Sequence, residues 1–275
     1  MTKQIVIDAN GARIPALGFG TWQLRGAACV AAVETALAAG YRHIDTARMY
    51  GNEQAVGEAL RASGLRRDDI FVTTKVWRDD IGAGALERSA EASLRDLRLD
   101  AVDLLLIHWP NAEIPLKASI GALCNARRRG LTRHIGVSNF PTALLEQAVA
   151  LATEPLVANQ CEYHPRLDQD AVIAACKRHG LAFVSYSPLG KGGLLADPTL
   201  TSIAGRLGRT PSQVVLRWHV QQGVAAIPRS GSPAHISDNF GVFDFALDDA
   251  DTAAISALRR ADGRMVDMGW ARWDA

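Results

Sequence analysis

The feature that most constrains this chain is an alternation repeated eight times. Short apolar runs stand at 17–20, 42–45, 71–75, 102–108, 134–138, 156–160, 182–186 and 224–227. Between them lie stretches with helical spacing of apolar residues, at 27–39, 53–62, 86–97, 115–129, 141–151, 168–179 and 211–222. Glycines at 40, 64, 130, 180 and 223 supply stop signals, and Pro141 supplies a start. Strand and helix in strict alternation predict a parallel sheet with helices outside it, and eight repeats predict a closed (β/α)8 TIM barrel. The strands are near-continuous apolar runs, as strands covered on both faces must be. Before the first run, IVIDANGARIPA reads as a β-hairpin turning at Asn10-Gly11, a type I′ signal. The 275 residues fit one barrel of about 250. No linker or internal repeat interrupts the series, so the whole chain, 1–275, reads as a single α/β domain. The residues after Arg260 lack a pattern and read as a surface loop.

Composition narrows the partners. The formal net charge is +1, with no basic block and no acidic tail, so nothing points to nucleic acid or an anionic membrane. No stretch approaches the ~20 apolar residues of a membrane span, and MTKQIVIDANG lacks a secretory pattern. Cys29, Cys124, Cys161 and Cys176 are scattered without a CxxC, which reads as reduced thiols in a cytoplasmic protein. No His or Cys cluster has metal-ligand spacing. Without heptads or an exposed apolar stripe, the expected state is a monomer.

Chemistry on such a barrel sits at the C-terminal ends of the strands. There the runs finish on polar residues: Asp45, Lys75, His108, Ser138-Asn139, Gln160, Tyr186 and Arg229-Ser230. A single Asp or Lys after a strand is a turn residue or a reach to solvent. Seven polar strand ends on one rim are more than turn chemistry requires.

These segments resemble the aldo-keto reductases. HIDTARMYGNEQAVGEAL, TTKVW, LLLIHWP, IGVSNF, NQCEYHP and YSPLGKGG follow that family's order, and the likeness runs from the hairpin to about Leu258. The short segment after His108-Trp109-Pro110 and the tail ALRRADGRMVDMGWARWD are most similar to the bacterial branch that includes the 2,5-diketo-D-gluconate reductases. The resemblance implies NADPH-dependent reduction of aldehydes and ketones, such as small aldehydes, dicarbonyls and keto-sugars. It places the family's catalytic tetrad at Asp45, Tyr50, Lys75 and His108.

Reduction of a carbonyl needs a hydride at carbon and a proton at oxygen, where charge develops. Tyr50 offers a phenol whose ordinary pKa is about 10, too high for an efficient acid near neutrality. Lys75 as a neighbouring cation is expected to lower it, Asp45 to hold the lysine, and His108 to act as a neutral donor beside its apolar run. Taken without the resemblance, Tyr50 is equally a rim aromatic, and Lys75 with Asp45 a structural ion pair.

No GxGxxG is present; GFGTWQ has two glycines and then aromatics rather than a helix start. The resemblance implies an NADPH lying across the barrel mouth instead. Ser138, Asn139 and Gln160 would hold its carboxamide and Tyr186 would stack on its nicotinamide. Ser187, Leu189 and Gly190 would approach the pyrophosphate. Arg229, Ser230 and His235 would hold the 2′-phosphate at a helix start marked by Ser232-Pro233, with Asp238 and Asn239 facing the adenine. Against these stand a core role for Tyr186 and a flexible loop for 187–193. Two positions depart from the family: Arg229 stands where Lys is common and keeps full charge, and His235 stands where Arg is common and replaces a permanent charge with a titratable one.

Trp22, Trp77 and Trp109 each follow a strand end and are expected to line the substrate pocket with His108. Met268 and Trp270 are further candidates for covering it. Two other readings compete: a non-catalytic cofactor sensor, and another barrel enzyme that binds a substrate phosphate at Arg229-Ser230.

Overall fold

The computed structural model describes residues 4–274. A hairpin of β1 (Val6–Ala9) and β2 (Ala12–Pro15) opens the chain. Asn10 and Gly11 both have positive φ, 44° and 90°, as a type I′ turn demands. Eight parallel strands follow: β3 (Phe19–Gly20), β4 (His43–Asp45), β5 (Phe71–Val76), β6 (Val102–Ile107), β7 (Thr132–Ser138), β8 (Leu156–Glu162), β9 (Ala182–Tyr186) and β10 (Ala225–Ala226). Each pairs with the next in sequence. The first and last meet as well. Leu17 bridges Ala226, the Gly18 amide donates to the Ala226 carbonyl at 2.8 Å, and the Gly20 amide donates to the Pro228 carbonyl at 3.0 Å. Closure depends on a close backbone approach: a Cβ at Gly20 would stand 2.9 Å from the Ile227 carbonyl oxygen.

Helices fill the crossovers: α1 (Gly26–Ala39), α2 (Glu53–Ala62), α3 (Ala85–Leu97), α4 (Leu116–Arg128), α5 (Thr142–Leu151), α6 (Asp170–Arg178), α7 (Pro198–Leu207) and α8 (Pro211–Gln221). Beyond β10 come α9 (Pro233–Phe240) and α10 (Asp249–Ser256). The expected strands and helices are all present, with ends shifted by a residue or two. Two helices were not expected, α7 and α10. Both start at an aspartate cap: Asp197 accepts from the Thr199 amide and Asp248 from the Asp251 amide.

Two apolar layers result. Leu105, Ile107, Ile135 and Val137 face outward and pack with helix residues such as Ile120 and Leu123. Leu104, Leu106, Ala158, Val184 and Ile227 face into the barrel, and the hairpin's Ala9, Ala12 and Ile14 pack against them. The hairpin therefore plugs the end of the barrel opposite the strand C-termini. Strand residues alternate between these layers, so His108 continues the inward parity of Leu104 and Leu106, and Tyr186 that of Val184.

Candidate active site

At the strand C-termini the inward parity passes from apolar to polar residues. Asp45, Lys75, His108, Ser138 and Gln160 are all buried there. The Lys75 ammonium lies 2.5 Å from one oxygen of Asp45, 2.9 Å from the Thr46 carbonyl and 3.5 Å from the Tyr50 hydroxyl. The other oxygen of Asp45 accepts from the Gln160 amide at 2.7 Å. Gln160, expected to meet a nicotinamide, thus also fixes the aspartate. Burial works against the Lys75 charge, but Asp45 and Tyr50 outweigh it and raise the lysine above its ordinary value.

Tyr50 closes a single turn, Arg48–Tyr50, which stops at Gly51 in the left-handed region. Its ring packs 4.7 Å from Trp22 and meets the edge of His108 at 5.6 Å. Burial pushes the Tyr50 phenol above its ordinary value, and Lys75 opposes this without cancelling it. The expectation that Lys75 produces a net lowering is therefore corrected: desolvation of the phenolate is the larger effect. His108 is held well below the usual imidazole range by burial and, second, by Lys75. It is a neutral ring, as expected.

Sequence reasoning missed the residues that hold this group in place. Asn52 is buried; its carbonyl accepts from Thr46 at 2.7 Å, and its amide donates to the Thr21 and Leu24 carbonyls at 2.9 and 3.1 Å. It ties the segment bearing Trp22 to the segment bearing Asp45 and Tyr50. Buried Glu53 accepts from Thr74 at 2.6 Å and pairs with Arg48 at 3.1 Å. Both lie inside YGNEQA, but their partners are set by the fold.

The expected cofactor residues gather beside the tetrad. Asn139 donates to the His108 carbonyl at 2.9 Å and accepts from the Tyr186 hydroxyl at 2.9 Å. Asn139 and Ser187 have φ of 63° and 51°, a conformation costly for residues with a Cβ and typical of functional sites. Leu189 and Gly190 belong to a run of tight turns rather than an open loop; the Gly190 amide donates to the Ser187 carbonyl at 2.9 Å. Across the mouth, exposed Arg229 donates to Gln23 at 2.7 Å. The Ser230 hydroxyl accepts from the Ser232 amide at 3.0 Å, and Ser232 caps α9 by accepting from the His235 amide. An exposed guanidinium, a hydroxyl and a capped helix start fit a phosphate. Asp238 is exposed and Asn239 buried, so the two do not form one open surface.

Aromatic residues wall the tetrad. Trp77 meets His108 edge-on at 5.3 Å, Trp109 is buried, and Trp22 is 41% exposed. Among its described residues the segment after Arg260 has neither helix nor strand and is largely exposed, as expected of a surface loop, but its Trp270 is seated against the site. Trp270 packs on Trp77 at 5.7 Å and on Trp109 at 5.6 Å, while the guanidinium of Arg78 lies 4.3 Å from its ring centre. Met268, the other candidate, is 49% exposed. Aromatic contacts, which periodicity does not reveal, seat Trp270.

The aldo/keto reductase family model matches residues 16–260. The chain belongs to the aldo-keto reductase family. A methylglyoxal reductase, DkgB, of Escherichia coli O157:H7 is 40% identical over 265 residues, covering 95% of this chain and 99% of that protein. A solved structure described provisionally as a 2,5-diketo-D-gluconic acid reductase B is 46% identical, superposes with a TM-score of 0.97 and spans 100% of this chain and 99% of its own. A single-residue variant of Gox0644, solved in complex with NADPH, is 38% identical with a TM-score of 0.90, covering 96% and 97%. Aldo-keto reductases are NADP-dependent oxidoreductases that act on carbonyls, and this coarse activity follows for the chain from its membership. Among the described residues, no helix is long and apolar enough to cross a membrane.

Proposed function

We propose that this aldo-keto reductase reduces small aldehydes, dicarbonyls and keto-sugars with NADPH, that Tyr50 protonates the carbonyl oxygen, and that one barrel domain carries the activity. The observation that supports this best is the Tyr50 hydroxyl 3.5 Å from the Lys75 ammonium, with the neutral ring of His108 packed 5.6 Å from the tyrosine ring. The raised pKa of Tyr50 keeps its proton in place at neutral pH. Once the proton has left, Lys75 is positioned to stabilise the phenolate, and Asp45 keeps Lys75 charged. Neutral His108 donates to the same carbonyl oxygen and orients it. The tryptophans exclude water.

Arg229, Ser230 and the start of α9 would hold the 2′-phosphate of NADPH, with Ser138, Asn139, Gln160 and Tyr186 beside its nicotinamide. Bound there, the cofactor supplies the hydride. Likeness to a methylglyoxal reductase supports dicarbonyls as substrates. The test is a panel of methylglyoxal, benzaldehyde and a keto-sugar, run with NADPH and with NADH in parallel. Consumption of NADPH, faster than NADH, with at least one of them is expected. No consumption with any would overturn the proposal.

A further inference from the structure

We infer that Glu162 is a positioning residue for the carbonyl substrate: its buried carboxylate fixes the backbone at Met265 and Val266 and thereby sets Trp270 as a wall of the mouth. This rests on the carbonyl reductase reading above.

Glu162 ends β8, two residues beyond Gln160, and is fully buried. Neither of its oxygens is within ion-pair distance of a Lys or Arg among the described residues. Instead they accept from the Met265 and Val266 amides, both at 2.9 Å, and one is 3.1 Å from a ring nitrogen of His164. A carboxylate is costly to bury, and charge-assisted bonds from amides offset that cost. The two amides belong to adjacent residues and converge on one side chain.

At the point of attachment to Glu162 the Met265 side chain is exposed and Val266 only half-buried, so neither anchors the segment there by burial. The backbone is what is gripped. The chain reaches Glu162 through Gly263, where a Cβ would stand 1.8 Å from the Arg166 carbonyl oxygen. It is tied again further on: the Arg264 guanidinium stacks 3.7 Å from the Trp273 ring centre, and Asp274 accepts from the amide and hydroxyl of Thr142 at 3.0 and 2.8 Å. Trp270 lies between these two attachments and packs on Trp77, which packs on His108. The path from Glu162 therefore runs through the backbone at 265–270 and then through ring contacts from Trp270 to Trp77 to His108, without touching the tetrad's hydrogen bonds.

The test is a double-mutant cycle on the full chain. Glu162→Gln replaces one acceptor with a donor aimed at an amide. It is expected to raise KM for methylglyoxal about tenfold, with a smaller change in kcat and in the dissociation constant of NADPH. In a Trp270→Ala background the same substitution is expected to raise KM by less than about twofold, since coupled residues are non-additive. Equal KM increments in the two backgrounds would overturn the inference. Amide hydrogen exchange on the unsubstituted protein gives a second readout that needs no variant to fold. The Met265 and Val266 amides should exchange slowly, and fast exchange there would also overturn it. If the unsubstituted protein reduces no carbonyl, the functional reading fails while hydrogen exchange still decides the tether.

Discussion

Asp45→Asn removes one charge from a buried pair while keeping the shape of the side chain. The two ions lie 2.5 Å apart with side chains that are 0% and 2% exposed. At an effective dielectric near 20, that separation corresponds to roughly 7 kcal/mol of Coulomb attraction. Desolvation of both ions offsets part of this, and losing one partner of a buried pair costs about 3–5 kcal/mol. For a chain of this size the melting temperature should fall by about 10 °C. The loss should also depend on pH. In the parent protein the raised Lys75 value makes its contribution fully present below about pH 10.4, and lost as pH rises through the folded value. In Asp45→Asn, burial acts on Lys75 without that partner and its folded value drops below about 10.4. The unfolded chain then binds more protons than the folded one across that window, so the variant gains stability as pH rises. Urea midpoints of both proteins from about pH 7 to about pH 10 should therefore converge. A gap that stays constant over that range, or a variant as stable as the parent at neutral pH, would refute the reasoning.

Two further outcomes follow from the same geometry. Arg229→Ala should weaken NADPH binding by about tenfold and leave NADH binding nearly unchanged, because only the former carries the 2′-phosphate; fluorescence titration with both nucleotides checks this. Acid should weaken the fold: burial pushes His219 down to about 4 and holds His108 well below the usual range, so both stay neutral while the unfolded chain takes up protons. Below about pH 6.5 the unfolding free energy should fall by roughly 1.4 kcal/mol per group per pH unit, until each folded value is reached; denaturant titrations between about pH 7 and about pH 4 measure it.

The barrel was legible in the chain because each strand is an apolar run and most crossover helices stop at a glycine. The two helices not read from the sequence, α7 and α10, begin with Asp197-Pro198 and Asp248-Asp249, pairs that also signal loops. The tetrad was legible because its residues end strands or closely follow one. Their inward parity could have been read as well: His108 lies two residues beyond Leu106, and Lys75 two beyond Thr73. What supports the tetrad was not legible. Asn52 and Glu162 act through partners up to 104 residues away, which only the folded chain brings near. Nor was the balance at Tyr50, where the opposing effects of burial and Lys75 depend on how far each is from solvent.

The central claim is that Tyr50 gives the proton. Its most direct test is steady-state NADPH oxidation with methylglyoxal by Tyr50→Phe against the parent protein, with NADPH affinity measured alongside. The account predicts a kcat lowered by about 10²–10⁴-fold with cofactor affinity retained. A variant that turns over at the parent's rate would contradict it.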